Sequence, residues 1–171
     1  GYELQIDLKD EKNPTGSIYN RVPTDMEQVR EVAPEKNWNQ VVIKVIGPRI
    51  MVWINDQQLQ DATLHDRSVG HIGLQQHHKG VTVKFKNIRI KELTPEDAEE
   101  GWISLFNGQN LDGWFIRGKA QWVVQDGILT GIDGMGHIYA EPELTDLEVR
   151  GMFKVSKKGN YKQIDKLIIY L

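Results

Sequence analysis

Polar and apolar positions alternate through most of this chain. In "GYELQIDL", Tyr2, Leu4, Ile6 and Leu8 fall on one side of an extended backbone and Glu3, Gln5 and Asp7 on the other. That is the two-residue period of a strand that buries one face. The stretches "VVIKVIG", "RIMVWIN", "VTVKFKNIRIKEL", "QWVVQDGILTG" and "LEVRGMFKVS" are short and rich in β-branched and aromatic residues, and they predict further strands. Gly47-Pro48, Asn55-Asp56 and Asp126-Gly127 stand where hairpin reversals are wanted. No amphipathic helix of ordinary length intervenes, so the pattern predicts antiparallel neighbours in an all-β sandwich. Between Val81 and Leu93 the apolar phase runs through Val81, Val83 and Phe85 and then slips to Ile88 and Ile90, which a bulge near Asn87 accounts for.

One stretch breaks the alternation. "LTPEDAEEGW", preceded by Glu92, gathers Glu96, Asp97, Glu99 and Glu100 and predicts a solvated acidic connector over 94–101. No repeat relates its two sides, and 171 residues suit a single domain that buries about two thirds of its unfolded surface. The formal net charge of -3 provides no long-range field for gathering nucleic acid. Cysteine is absent, which removes disulfides, thiolate zinc sites and a cysteine nucleophile. No apolar run reaches the roughly 18 residues of a membrane span, and no signal-peptide pattern stands at Gly1.

Two constellations carry chemistry. Glu3, Gln5 and Asp7 stand on one strand face about 7 Å apart at each step, so Glu3 and Asp7, about 13 Å apart, are too distant to be the two carboxylates of a retaining glycosidase. "GHIGLQQHHKG" puts His71, Gly73, Gln75 and His77 on one strand face, and a histidine there titrates near neutrality, as acid/base work or metal binding requires. His77 with Glu3 or Asp7 could hold a divalent ion, although no metal-binding spacing within one segment supports it. Trp53 alternates with Ile50, Val52 and Ile54 and so shares the opposite face with Arg49, whereas Trp102, Trp114 and Trp122 lie in apolar frames that predict core positions.

"GWISLFNGQNLDGW" with "WVVQDGILTG", and ahead of them "GYELQIDL", "PTGSIYN", "WNQVVIKVIGPRIMVWIND", "GHIGLQQHH" and "VKFKNIRIKEL", resemble the 3-keto-disaccharide hydrolase domain family, also called domain of unknown function 1080. The resemblance covers nearly the whole chain. It implies a concanavalin A-like jelly roll of two antiparallel sheets, with residues 1–93 matching the family's C-terminal half and 102–160 its N-terminal half. The halves stand in exchanged order, as in a circular permutant or a piece cut across tandem copies, and 161–171 depart from the family pattern. It further implies a carbohydrate-active enzyme cleaving a glycosidic bond in a concave groove, with a non-catalytic carbohydrate-binding module as the rival reading. Carried onto this sequence, Glu3 and His77 become the acid/base pair, and Gln5, Asp7, Tyr19, Arg49, Trp53, Gln75 and His137 the substrate contacts. The implied ligand is an oligo- or polysaccharide, including a 3-keto sugar, in a secreted or periplasmic bacterial setting. If the tail fails to supply a strand beside "GYELQIDL", that open edge should recruit a second chain as an edge-paired or strand-swapped homodimer.

Overall fold

The computed structural model describes residues 1–65, 69–77, 81–93 and 101–157, and 165–170 by backbone alone, as it does 156 and 157. The connector at 94–100, His78, and tail residues 158–164 and 171 lie outside the described residues.

Short strands follow one another along the chain: β1 (Tyr2–Ile6), β2 (Asn39–Ile46), β3 (Arg49–Ile54), β4 (Gln57–Thr63), β5 (Gly70–Gln76), β6 (Val81–Glu92), β7 (Ile103–Ser104) and β8 (Trp114–Gly118). They continue with β9 (Gln121–Gln125), β10 (Ile128–Asp133), β11 (Gly136–Leu144), β12 (Leu147–Lys157) and β13 (Asp165–Tyr170). Among the described residues there is one helix, α1 (Met26–Val32), only seven residues long; Asp25 caps it by accepting a hydrogen bond from the Gln28 backbone N–H, and Val29 is its buried contact.

The strands form two antiparallel sheets. One has the order β1-β13-β5-β11-β8; the other runs β4-β3-β2-β12-β6-β10-β9, with β7 paired to β6. Their facing surfaces make one core, in which Leu4, Ile72, Leu74 and Ile138 meet Ile43, Val52, Leu129 and Val149. Burying each such side chain fully contributes about 1.5–3 kcal/mol against leaving it in water. The core draws on both 1–93 and 101–157, because strands of the two segments interleave in the larger sheet and adjoin, β5 beside β11, in the five-stranded one.

The turn chemistry read from sequence operates as expected. Asn55 and Asp56 have φ of 46° and 66°, and Asp126 and Gly127 have 52° and 72°, the paired left-handed conformations whose twist matches a tight hairpin. Asn55 also ties this hairpin to the end of α1, donating to the Val32 carbonyl at 2.7 Å while accepting from the Gln40 N–H at 2.8 Å. At Asn87, φ is 54° and the β6–β12 register shifts between Arg150 and Met152. The extra residue on β6 is what moves the apolar phase from Phe85 to Ile88.

Residues 165–170 form β13, seated between β1 and β5. The other edge of β1 is covered by residues 15–19, where the Ser17 carbonyl accepts from Gln5 N–H, the Gln5 carbonyl from Gly16 N–H and the Glu3 carbonyl from Tyr19 N–H. With both sides of β1 occupied, the open edge on which the homodimer expectation depended is missing there.

Candidate functional site

The core side of the five-stranded sheet takes Tyr2, Leu4 and Ile6 from β1, Ile72 and Leu74 from β5, and Ile138 and Ala140 from β11. Strand alternation then sends the intervening residues to the outer face. The register sets them in rows. One row runs Gln5, position 166, Gln75, His137 and Arg117 across all five strands; the next runs Glu3, position 168, Gly73, Tyr139 and Phe115.

In the first row Gln75 Nε2 lies 2.7 Å from His137 Nε2. With the amide donating, Nε2 of the imidazole is the acceptor and the proton of neutral His137 sits on Nδ1. Gln75 is 6% exposed and its Oε1 has no partner among the described residues, and the same is true of Oε1 of the fully buried Gln5. Gln5 Nε2 reaches Asp10 Oδ2 at 3.5 Å.

The second row is aromatic. Tyr139 stacks between His137 at 5.6 Å and Phe115 at 5.3 Å, with His71 edge-on to Phe115 at 5.4 Å and the Arg117 guanidinium 5.6 Å from the Phe115 ring. Gly73 makes room for this row, since a Cβ there would stand 2.7 Å from ring carbons of Tyr139. At the sheet's margin His71 Nδ1 is 3.2 Å from the Pro142 carbonyl and its Nε2 3.5 Å from Glu143.

The site residues expected from sequence therefore divide. Gln5, Gln75 and His137 share one row, and Glu3 lies one row away on the same face. His77, half-buried just beyond the end of β5, is two residues past Gln75 and four past the level of Glu3. Strand spacings then put the Cα atoms of Glu3 and His77 about 16 Å apart, and those of His77 and His137 about 8 Å apart. The register does not bring Glu3 and His77 to one bond.

Tyr19 sits beside Glu3, Asn20 and Arg21 around an open depression next to β1. Asp7 belongs elsewhere: buried, with Oδ1 accepting from Lys9 N–H at 2.8 Å, it lines a cleft of about 210 Å³ at one end of the sandwich with Ile6, Lys9, Lys36, Asn39 and Phe153. Arg49 and Trp53 are on β3, in the other sheet, so they cannot face the row of Gln75. Arg49 is engaged by Asp61 at 2.7 and 2.6 Å; this fork holds the Asp61 carboxyl below its ordinary range and raises the guanidinium.

Of the tryptophans predicted for the core, Trp114 and Trp122 are buried, whereas Trp102 is half-buried beneath the Arg150 guanidinium at 4.6 Å. Among the described residues no three His, Asp or Glu side chains gather to hold a metal. Phe115, Arg117 and Tyr139 escaped the sequence reading. The signal was present in "WFIRG" and "GHIYAE", where the same alternation sets Phe115 and Arg117 against Trp114 and His137 and Tyr139 against Ile138.

No helix of the described residues is long and apolar enough to cross a membrane. A search of curated proteins finds no match to the chain. The model of one family, the 3-keto-alpha-glucoside-1,2-lyase-like domain, matches residues 1–91 and 101–163. This chain belongs to that carbohydrate-related family.

Proposed function

We propose that the chain breaks the glycosidic bond of a 3-keto sugar on the outer face of the five-stranded sheet, with His77 and His137 as the two working groups. The observation that carries the reading is the row in which Gln75 holds His137 at 2.7 Å, together with a family name that specifies 1,2-elimination. In a 3-keto glycoside the ketone acidifies the C2–H. His77 takes that proton, and the electron pair moves into the C2–C3 bond as an enolate. When Gln75 donates to its Nε2, neutral His137 carries its proton on Nδ1, and from there it donates to the ketone oxygen and stabilises the developing charge. As the ketone re-forms, C1=C2 forms and the C1–O bond breaks, and the leaving oxygen recovers a proton from protonated His77. Addition of water to the resulting enone makes the net reaction a hydrolysis. Glu3 and Tyr19, beside the depression, bind the more distant part of the saccharide.

The experiment is turnover of a methyl 3-keto-α-glucoside in D₂O. Elimination predicts enone absorbance and deuterium at C2 of recovered substrate, both lost in His77→Ala. Release of methanol without C2 exchange would instead indicate direct hydrolysis. Binding without turnover would favour a non-catalytic sugar-binding module, a reading supported by how open the depression at Glu3 and Tyr19 is to solvent.

The same reading includes a secreted or periplasmic setting, where glycans are met. It also takes residues 1–93 and 102–160 as exchanged halves of one domain, supported by the interleaving of their strands in the larger sheet.

A further inference from the structure

The net charge of -3 hides a polarised molecule. On the outer face of the eight-stranded sheet the register aligns Lys44, Glu148 and Lys91 in one row and Arg150 with Arg89 in the next. Beyond the bulge Lys86 stands opposite Met152, and Lys84 opposite Lys154. These positions alternate with core residues: Ile43 on β2, Val149 and Phe153 on β12, and Phe85 and Ile90 on β6. Glu148 is the one acid aligned with these seven cations on β2, β6 and β12, and it already accepts from Arg150 Nε at 2.8 Å. Lys84, Arg89 and Lys154 have no ion-pair partner among the described residues.

Lys44 and Lys91 flank Glu148, but the directly opposed pairs Arg89–Arg150 and Lys84–Lys154 set like charges on adjacent strands about 5 Å apart at Cβ, a repulsion that an anion lying along them would relieve. We propose that this face is a docking surface for an acidic polysaccharide, a chain bearing uronate carboxylates. The cations lie in successive rows on adjacent strands, so a linear polyanion could meet them along its length. Two indoles flank the cations, each with a cation over one ring face, Trp38 with Lys86 at 4.3 Å and Trp102 with Arg150 at 4.6 Å. The ring face that each cation occupies is closed to base stacking, which single-stranded nucleic acid uses in addition to its phosphate contacts. Membership of a carbohydrate-related family favours a glycan as the source of the carboxylates. The surface belongs to the sheet opposite the Gln75 row, so the proposal stands apart from the reaction proposed above.

The test is affinity electrophoresis and calorimetry of the full chain with polygalacturonate, with dextran as the neutral control and single-stranded DNA and phosphatidylglycerol vesicles as competing polyanions. The expected result is binding to polygalacturonate alone, weakening as salt rises and falling at least about tenfold in Lys84→Glu/Lys154→Glu. A Lys84→Gln/Lys154→Gln variant should lose less, and unchanged thermal melting of both variants would show that the fold is intact. No binding to polygalacturonate, equal binding to dextran, tighter binding to DNA or vesicles, or full affinity in the charge-reversed variant would each overturn the proposal.

Discussion

Gln75 and His137 meet across the β5–β11 pair with their Nε2 atoms 2.7 Å apart, and the Gln75 carbonyl oxygen is left without a partner among the described residues. A primary amide can serve either state of an imidazole: it donates to an unprotonated Nε2 and, rotated by half a turn, accepts from a protonated one. Gln75 therefore fixes the ring's position without fixing its charge.

Gln75→Glu removes that neutrality. A carboxylate can only accept, so the His137 proton should move to Nε2 and the imidazolium should gain stability. Nitrogen chemical shifts of His137 across a pH titration should show a change of tautomer and a raised pKa. An unchanged tautomer would mean that Nε2 already carries the proton in the parent, with the Gln75 amide accepting from it. Gln75→Leu should instead cost about 1 kcal/mol of stability through the lost hydrogen bond.

Gly73→Ala tests the aromatic row. The added Cβ would stand 2.7 Å from Tyr139 ring carbons, so the ring must lift and carry its stacks on His137 and Phe115 with it. A loss of about 1–3 kcal/mol is expected from overpacking, read as a lower denaturant midpoint. Removing the ring in Gly73→Ala/Tyr139→Ala should leave a smaller penalty for the methyl group than in the parent. Additive costs would show that Tyr139 does not press on Gly73.

How far the sequence could lead is visible at particular residues. Period-two alternation marks β1, β2, β3, β5, β6, β9, β10 and β12 but not β4, β7, β8, β11 or β13, and the slip at Asn87 marks the bulge, because both signals are local properties of the backbone. The same alternation put Glu3, Gln5 and Gln75 on outward faces, but no local rule says which strands become neighbours. The resemblance and their chemistry pair Glu3 with His77, and only the seating of β13 between β1 and β5 shows how far apart they stand. Arg49 and Trp53 carry suitable chemistry on the wrong sheet. The basic face escaped for a different reason: a whole-chain charge sums over both faces, and the cations of β2, β6 and β12 become one surface only through long-range pairing.

The Arg49–Asp61 fork gives a pH dependence of known sign. Asp61's carboxyl is held below its ordinary value first by the hydrogen bonds from Arg49, so any stability it contributes is present above the unfolded carboxyl's pKa and disappears as pH falls through the folded one. Asp61→Asn should thus lower the melting temperature slightly at neutral pH and converge with the parent in acid. Both groups are exposed, so the difference should also shrink in high salt. A deficit that persists at acid pH would assign Asp61 a role other than this pair.

Cutting the chain in the acidic connector tests how the two segments depend on one another. In the five-stranded sheet β13 separates β1 from β5, and in the larger sheet β12 separates β2 from β6. Residues 1–93 alone keep only the β2-β3-β4 meander as neighbouring strands, and residues 101–171 keep the β9-β10 and β8-β11 pairings but lack β6 between β10 and β12. Neither piece can close two sheets over a core, so each should be unfolded by circular dichroism when made alone. Produced together, they should co-purify as a one-to-one complex. Its melting temperature should lie below that of the intact chain and rise with concentration, because the cut turns an intramolecular step into an association. The exchanged-halves reading requires this mutual dependence, since only one interleaved domain could be opened at a new place without losing its core. Two fragments that each melt cooperatively on their own would refute both that reading and the single shared core.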